Sequence, residues 1–455
     1  MRIEQGYIFR PENSELIQDS VRLEISDEKI EFEYSDYSSD LYDYNKIEVV
    51  LGVFNRIGNV TFLDCNLSGM ASGSGANVKK YNVDLLLQGV HISDWQELKF
   101  SKCLVTIPSL YDWVGINAIK NRLLSENILY AENPKDVLLA TFEKYQLLFS
   151  FGYDLKTEKN EIYLKQYTNL KIVALEEDIH LSEFVEIITH FKKFLLLIAN
   201  KSPFSESITL FSNKYKYDNN HGLIPIELIA NSKDRNSTQL SISATRIEFE
   251  DIVINFEDII KTWYNNTNLY SSIDLIIEKF LNPNLSREND FLNSCFAIET
   301  FHRRFRKIKI FKKTEFKRIR KSIIDKIETD EHKEFFDEKL SYANEPSFKN
   351  RLFDLKKHFE NILPSNIDVD DYIVKIVKTR NYLVHRSQKN NTFNDFDMFY
   401  AARYIESIVR ICILIELKVP ENIILKTVGF NKTHLEQMYY VNKKMKTSLP
   451  NKNYI

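Results

Sequence analysis

The sequence predicts an α+β protein with two domains: a β-rich N-terminal domain with one packed helix, and an all-α C-terminal bundle. With 455 residues, the chain is longer than one hydrophobic core usually supports. Runs with apolar residues at every second position dominate up to residue 255, and helical spacing dominates from residue 256. We therefore expect domains at 1–255 and 256–455, the second with a core at about 286–420.

The β-rich domain is predicted from short runs of β-branched and aromatic residues separated by polar turns. These runs are 21–25, 30–34, 47–51, 60–63, 83–87, 161–164, 208–211 and 240–254. They favour a sandwich or an open barrel. Apolar residues at helical spacing in 181–199 predict one helix against the sheet, with Ser182 as its N-cap and Ser202-Pro203 as its stop.

Two stretches in this domain are predicted to be loops. Residues 68–75 are rich in Gly and Ser, but neither GK[ST] nor a helix follows, so we interpret them as a connection between strands and not as a phosphate loop. Residues 33–45 are acidic and rich in Tyr, which is typical of a solvated loop. An alternative is that this stretch masks the basic run described below until a signal arrives.

The C-terminal domain is predicted from a succession of amphipathic segments with helical periodicity. Prolines at 283 and 364 separate some of them. The predicted helices are 259–270, 272–280, 287–305, 314–327, 333–342, 347–362, 369–384 and 395–417.

Composition excludes several classes of protein. The four Cys residues are far apart in sequence and predict core thiols, without a disulfide framework or a zinc site. The nine His residues form no HExxH or comparable metal-ligand spacing, so we predict no metal site and no cofactor. No apolar run is long enough for a signal sequence or a membrane span, and we expect a soluble cytoplasmic protein without a membrane partner.

Charge is unevenly distributed although the formal net charge is only −3. Residues 303–321, called here the basic run, contain 11 Lys and Arg and one Glu. Because the run has only one anion to pair with its cations, we expect the cations to contact a phosphate backbone. The alternative is a solvated helix face. The candidate RNA-binding residues are Arg303, Arg304, Arg306, Lys312, Lys313 and Lys317.

The residues best suited to chemistry are Arg380, Asn381 and His385, near the end of a predicted helix. A guanidinium, an amide and an imidazole are groups that phosphodiester cleavage uses. Arg380 lies in phase with an apolar stripe, and a charge there must be paired or must line a site. Glu299, on the helix predicted at 287–305, is the first candidate for its partner.

Helix geometry limits how these residues act together. On an ideal helix His385 points about 140° away from Arg380. One straight helix therefore cannot bring both side chains to one phosphate. Either the helix ends or bends between them, or a second copy of the motif from another subunit completes the site.

Arg380-Asn381, followed by four residues to His385 late in an all-α domain, resembles the ribonuclease motif of the HEPN superfamily. The helix with Glu299 and the preceding β-rich domain resemble the ApeA-like subgroup of bacterial anti-phage defence proteins. This resemblance implies a HEPN helical bundle and metal-independent cleavage of RNA through its 2′-hydroxyl. It implies that His385 is a general base or acid, that Arg380 stabilises the phosphorane, and that Asn381 orients the backbone or the histidine.

The resemblance further implies a homodimer or higher oligomer formed through the HEPN domain. RNA is the expected substrate, with tRNA as one candidate, and a phage-derived trigger is expected to bind the N-terminal domain. Arg386 is expected to support the site by binding a flanking phosphate.

Two other functions remain open from the sequence. One is a catalytically inactive HEPN-like module that binds RNA or protein. The other is a HEPN toxin controlled by a separate antitoxin.

Overall fold

The computed structural model describes residues 1–26, 29–36, 45–73, 76–121, 129–132, 134–199, 205, 207–217, 222–230, 247–282, 284–358, 369–386 and 391–427. The chain forms two compact units, Met1–Ser241 with Glu248–Lys261, and Ile242–Ile247 with Thr262–Ile455. The first unit is β-rich and the second is helical, which confirms the predicted fold class. A division at residue 255 remains a prediction.

The first unit contains the strands β1 to β16 and the helices α1 to α3. The strands are β1 Arg2–Arg10, β2 Asn13–Ile25, β3 Ile30–Asp36, β4 Lys46–Phe54, β5 Gly58–Gly73, β6 Ala76–Gln88, β7 Lys99–Phe100, β8 Lys102–Thr106, β9 Ile119–Asn121, β10 Leu129–Ala131, β11 Val137–Thr141, β12 Tyr145–Glu158, β13 Glu161–Ala174, β14 Ile179–His180, β15 Ser207–Phe211 and β16 Ile226–Ala230. The helices are α1 Pro108–Val114, α2 Leu181–Ile198 and α3 Phe249–Ile252.

Six strands close into a barrel, in the order β6-β3-β2-β1-β4-β5, because β5 pairs with both β4 and β6. Phe32, Phe62 and Tyr81 fill its interior and are at most 1% exposed. Closure removes the free edges that an open sheet would present to other chains. The sequence predicted a sandwich or an open barrel and could not show this closure.

Strand β6 also connects the barrel to an open sheet of β16, β15, β8, β13, β12 and β11. Helix α2 packs on this sheet through Phe191, whose ring lies 6.2 Å from that of Phe149 on β12. The predicted packed helix is thus confirmed. Its N-cap, however, is His180, whose ring accepts a hydrogen bond from the Ser182 amide, and not Ser182 itself. The predicted stop at 202–203 lies outside the described residues.

The predicted strand at 240–254 is wrong where the structure describes it. Residues Phe249–Ile252 form α3, and a 3₁₀ turn follows at Val253–Asn255. Glu248 and Asp251 form a capping box, in which each side chain bonds the backbone amide of the other residue. This local capping and the burial of Phe249 and Ile252 favour a helix. Residues 240–246 lie outside the described part of the chain.

The two predicted loops are also shorter than expected. Residues 68–73 belong to β5, and only 74–75 lie outside the described residues between β5 and β6. Residues 33–36 belong to β3, because they pair with 77–80 of β6. The rest of the acidic stretch, 37–44, and the masking hypothesis attached to it lie outside the described residues.

The helices after α3 follow the predicted succession. They are α4 Phe256–Asn265, α5 Tyr270–Leu281, α6 Arg287–Phe301, α7 Lys313–Ile324, α8 Asp330–Leu340, α9 Phe348–His358, α10 Val369–His385 and α11 Asp395–Glu416. A π-helical turn at His302–Arg306 extends α6. Helix α6 packs against α5, α10 and α11, and α9 packs against α10. Buried side chains such as Phe291, Ile376 and Ile405 form this core.

Helices α7 and α8 pack against each other and bury no residue of their own. We call residues 313–340, which include both helices, the arm. The four Cys residues are buried and free, as predicted for core thiols. Among the helices that the structure describes, none combines the length and apolarity needed to cross a membrane.

Candidate active site

Helix α10 carries the whole Arg380-to-His385 motif. Its buried residues Ile373, Ile376 and Leu383 hold it in the bundle. The helix includes His385 and ends there, since Arg386 has a left-handed backbone with φ of 49°. The helix therefore does not end between Arg380 and His385, so the expectation of a helix end between them is wrong.

Arg380 is held in place on several sides. Its Nη2 lies 3.6 Å from Glu299 Oε2, so the ion pair predicted from the sequence is present. Its guanidinium carbon also lies 5.9 Å from the centre of the Phe296 ring and 5.6 Å from that of Phe348. Cation–π contact at these distances and the ion pair restrict its orientation. The Arg380 side chain is 21% exposed, so it can still reach a ligand.

The Asn381 side chain forms a hydrogen bond with Arg380 and not with His385 of the same chain. Its Oδ1 accepts a hydrogen bond from Arg380 Nη1 at 3.3 Å. The resemblance implied that Asn381 orients the backbone or His385, and in this chain it orients Arg380. Arg386 Nη2 lies 3.7 Å from Glu288 Oε2 and is 68% exposed, so it remains open to a phosphate.

His385 is exposed and makes no hydrogen bond or ion pair with the described residues. Its neighbour Val384 is 40% exposed. A catalytic imidazole needs a partner or substrate to orient it. In this chain the histidine is presented outward, on a different side of the helix from Arg380.

The basic run divides into two groups. Four of its first five cations, and Arg320 on α7, have internal partners, which corrects the expectation that few such partners exist. The contacts are Arg303 with Glu299 and Glu345, Arg304 with the Asn268 carbonyl, Arg306 with Asp354, Lys309 with Glu345, and Arg320 with Asp337. Lys312, Lys313 and Lys317 are exposed and make no ion pair with the described residues.

A buried histidine at the π-helical turn was missed by the sequence analysis. His302 is fully buried, and its Nδ1 lies 3.0 Å from Arg351 Nη1 while its Nε2 lies 3.2 Å from Asp354 Oδ2. Arginine only donates, so Nδ1 accepts and the proton of the neutral ring is on Nε2. Burial and the charge of Arg351 lower the pKa of His302.

Arg351 had a detectable signal in the sequence. It is 3% exposed and follows the phase of Phe348, Leu352 and Leu355 on α9. This is a charge in an apolar stripe, the same signal that identified Arg380. His302 and its partners lie about 50 positions apart, and no local pattern connects them.

The structure shows no group of three or more potential metal-ligating side chains within the residues it describes. Metal-independent chemistry therefore remains an expectation from the resemblance.

Comparison with protein families identifies both units. Residues 292–423, which contain the Arg380-to-His385 motif, match the family described as Apea-like HEPN, so the helical unit is a HEPN domain. Residues 4–263 match the family described as ApeA N-terminal domain 1. Because this match covers more than half of the chain, the protein belongs to the ApeA family, and the resemblance stated from the sequence is confirmed. Searches of curated proteins and of solved structures gave no match.

At the family level, membership places the protein among HEPN-type nucleases associated with anti-phage defence.

Proposed function

We propose that this protein is a metal-independent endoribonuclease that acts in anti-phage defence by cleaving RNA at a site containing Arg380 and His385. The observation that carries the proposal is the fixed, partly exposed guanidinium of Arg380 on the same HEPN helix as an outward-facing imidazole. The ribose 2′-oxygen attacks the adjacent phosphorus while an imidazole takes its proton. The bond from phosphorus to the 5′-oxygen then breaks, and this oxygen takes a proton from the imidazolium formed in the first step or from the imidazolium of a second His385.

The roles of the side chains follow from the charges in this step. The phosphorane gains negative charge, and Arg380 stabilises it through N–H groups whose orientation Glu299, Phe296 and Phe348 restrict. The products are a 2′,3′-cyclic phosphate and a free 5′-hydroxyl.

We further infer that the complete site is formed by two copies of the chain. Since α10 is helical through His385, Arg380 and His385 of one chain diverge by about 140°. A second HEPN domain can place its own histidine near the Arg380 of the first. This arrangement would also cover the exposed Val384.

The first experiment tests catalysis by His385. Purified wild type, His385→Ala and His332→Ala are incubated with total RNA and tRNA, with and without a chelator. His332 is an exposed histidine on α8 in the same domain and is the matched control. We expect the wild type and His332→Ala to leave cyclic-phosphate ends whether or not chelator is present, and His385→Ala to lose at least about 100-fold in rate. Equal rates for all three proteins would contradict the proposal.

The second experiment tests the composite site. Arg380→Ala and His385→Ala are each expected to be inactive alone. Mixed at equal amounts and allowed to exchange subunits, they should recover roughly a quarter of the wild-type rate, because half of the dimers are mixed and each has one intact site. If the mixture stays inactive although mixed dimers are detected by mass, the site is not shared in this way.

The α7 side of the arm is the proposed RNA-binding surface. Lys312 directly precedes α7, and Lys313 and Lys317 lie on α7, exposed to solvent. Phe311 beside them is 41% exposed and is positioned to stack on a base. If His385→Ala retains RNA binding while RNA is never cleaved by the wild type, the protein is instead a binding module.

A further inference from the structure

The base of the arm is connected to the motif arginine by a chain of charged side chains. Each contact in this chain is 3.6 Å or shorter. The contacts are Arg380 with Glu299 at 3.6 Å, Glu299 with Arg303 at 3.3 Å, Arg303 with Glu345 at 3.6 Å, and Glu345 with Arg351 at 3.2 Å. We propose that Glu345 is a positioning residue that couples the arm to Arg380, so that RNA held on the arm helps to set the catalytic guanidinium. This inference rests on the proposed function.

Glu345 lies where the arm joins the rest of the domain. It follows α8 in a turn, and the preceding residue, Asn344, holds the segment that leads into α7. The Asn344 side chain accepts a hydrogen bond from the Phe311 amide at 2.7 Å and donates one to the Phe311 carbonyl at 3.0 Å. The Asn344 carbonyl accepts from the Ile310 amide at 3.1 Å. A displacement of the arm therefore acts directly on Glu345.

Three cations converge on the Glu345 carboxylate. Lys309 and Arg351 each contact it at 3.2 Å, and Arg303 at 3.6 Å. Burial alone would raise the pKa of Glu345, but the hydrogen bond from Lys309 and the charges of all three cations lower it. The carboxylate is thus ionised at neutral pH and can serve as the fixed anion between the arm and the site.

Arg351 anchors the buried side of the chain. It is 3% exposed and donates both to Glu345 and to the buried His302 ring. His302 in turn bonds Asp354, which also accepts two hydrogen bonds from Arg306. Because the buried end cannot move freely, a shift of Glu345 is transmitted toward Arg303 and Glu299, whose partner is Arg380.

The structure gives Arg303 a different role from the one predicted from the sequence. The basic run suggested that Arg303 binds RNA. In the structure it bridges Glu299 and Glu345, and 59% of its side chain is exposed. As a bridge, its removal should slow the chemical step, whereas as an RNA contact its removal should weaken binding.

The test compares Glu345→Gln and Arg303→Met with Glu183→Gln in the full chain. Glu183 on α2 pairs with Lys144 at 3.1 Å in the β-rich unit and belongs neither to the arm nor to the helical unit's charged network, so it is the matched control. RNA affinity is measured in the His385→Ala background, and kcat and KM are measured with His385 present. We expect Glu345→Gln and Arg303→Met to lower kcat at least fivefold with RNA affinity unchanged within twofold, and Glu345→Asp to recover part of the rate. Glu183→Gln should change neither quantity.

A second readout does not require cleavage. In the full chain labelled with ¹⁵N-arginine, the Nε–H signal of Arg380 is assigned by its loss in Arg380→Lys. We expect that signal to shift in Glu345→Gln and on addition of RNA, and to stay in place in Glu183→Gln. An unchanged signal in Glu345→Gln would overturn the coupling whether or not the wild type cleaves RNA. If the signal shifts but the wild type leaves RNA intact, the coupling stands and the proposed activity is wrong.

Discussion

The two groups of cations in the basic run differ in their surroundings although they are close in sequence. Arg303, Arg306 and Lys309 lie against carboxylates from α6, the turn after α8, and α9. Lys313 and Lys317 lie on α7, a helix without any buried residue, and no carboxylate among the described residues pairs with them. The first group stabilises the HEPN domain, and the second is available to a polyanion. Cations that are adjacent in a sequence therefore do not necessarily lie on one common surface.

The largest expected effect tests the internal group. Arg351→Met removes the most buried cation among the residues that contact Glu345 and His302. Glu345 and the Nδ1 of His302 each lose the hydrogen bond that Arg351 donates. We expect the free energy of unfolding of the helical unit to fall by about 3–5 kcal/mol. Hydrogen exchange of the slowest α6 amides measures this quantity.

The matched control for that change is Arg318→Met on α7. Arg318 is exposed and lies among the unpaired cations, so the same substitution should cost less than about 0.5 kcal/mol. Equal losses in the two variants would mean that the two groups do not differ in the way proposed.

The next effect tests the exposed group. Replacing Lys312, Lys313 and Lys317 together by Ser should weaken RNA binding by about tenfold or more at moderate salt, and should lower the slope of log K against log salt by about 2. The stability of the helical unit should hardly change, because none of the three side chains has an ion-pair partner in the described structure. Binding is measured in the His385→Ala background by fluorescence anisotropy.

The control for the triple variant removes the same charge elsewhere. Lys135, Lys159 and Lys216 are exposed in the β-rich unit, and no ion pair joins them to a described residue. Their replacement by Ser should leave both the affinity and the salt slope within error of the wild type. If both triple variants weaken binding equally, RNA responds to total charge and not to the arm.

Sequence reasoning recovered the local part of this architecture. The helices α5 to α11 lie close to the segments predicted from the sequence, and Arg380 was found because it is a charge placed on an apolar face, with Glu299 as its candidate partner. Such signals lie within one helix and need no knowledge of tertiary structure.

The rest depended on contacts between distant segments. Closure of the barrel is decided by the pairing of β5 with β6, which no property of either strand alone reveals. The partners of Arg306 and Lys309 come from residues more than 30 positions away, and that distance hid the network around His302. Capping by Glu248 and Asp251 also overrode a β-like composition at α3.

A smaller effect is expected from pH. Burial and Arg351 lower the pKa of His302, so in the unfolded chain the ring takes up a proton near pH 6.5 while the folded ring does so only at lower pH. The unfolded state then binds more protons, and stability is lost as the pH falls below about 6.5. The loss at pH 5.5 relative to pH 7.5 should be at most about 1.4 kcal/mol.

His302→Gln tests this pH dependence because its amide can both accept and donate but does not titrate. Asp354 and Glu345, the nearby carboxylates, have lowered pKa values and titrate at more acidic pH in either protein. The difference in unfolding free energy between pH 7.5 and 5.5 should be smaller in the variant than in the wild type. An identical pH dependence in both proteins would show that His302 does not take up this proton.

The smallest effect concerns the arm itself. Arg320 on α7 donates to the Asp337 carboxylate at 2.6 Å and to the Asp337 carbonyl at 3.0 Å, and both side chains are partly exposed. Arg320→Ala should destabilise the pairing of α7 with α8 by about 0.2–1 kcal/mol, with a smaller loss at high salt. Hydrogen exchange of the arm amides should therefore increase while that of α6 stays constant. An equal increase in α6 would mean that the arm and the bundle unfold as one cooperative unit. The two groups of cations would then differ in solvent exposure but not in the stability of the helices around them.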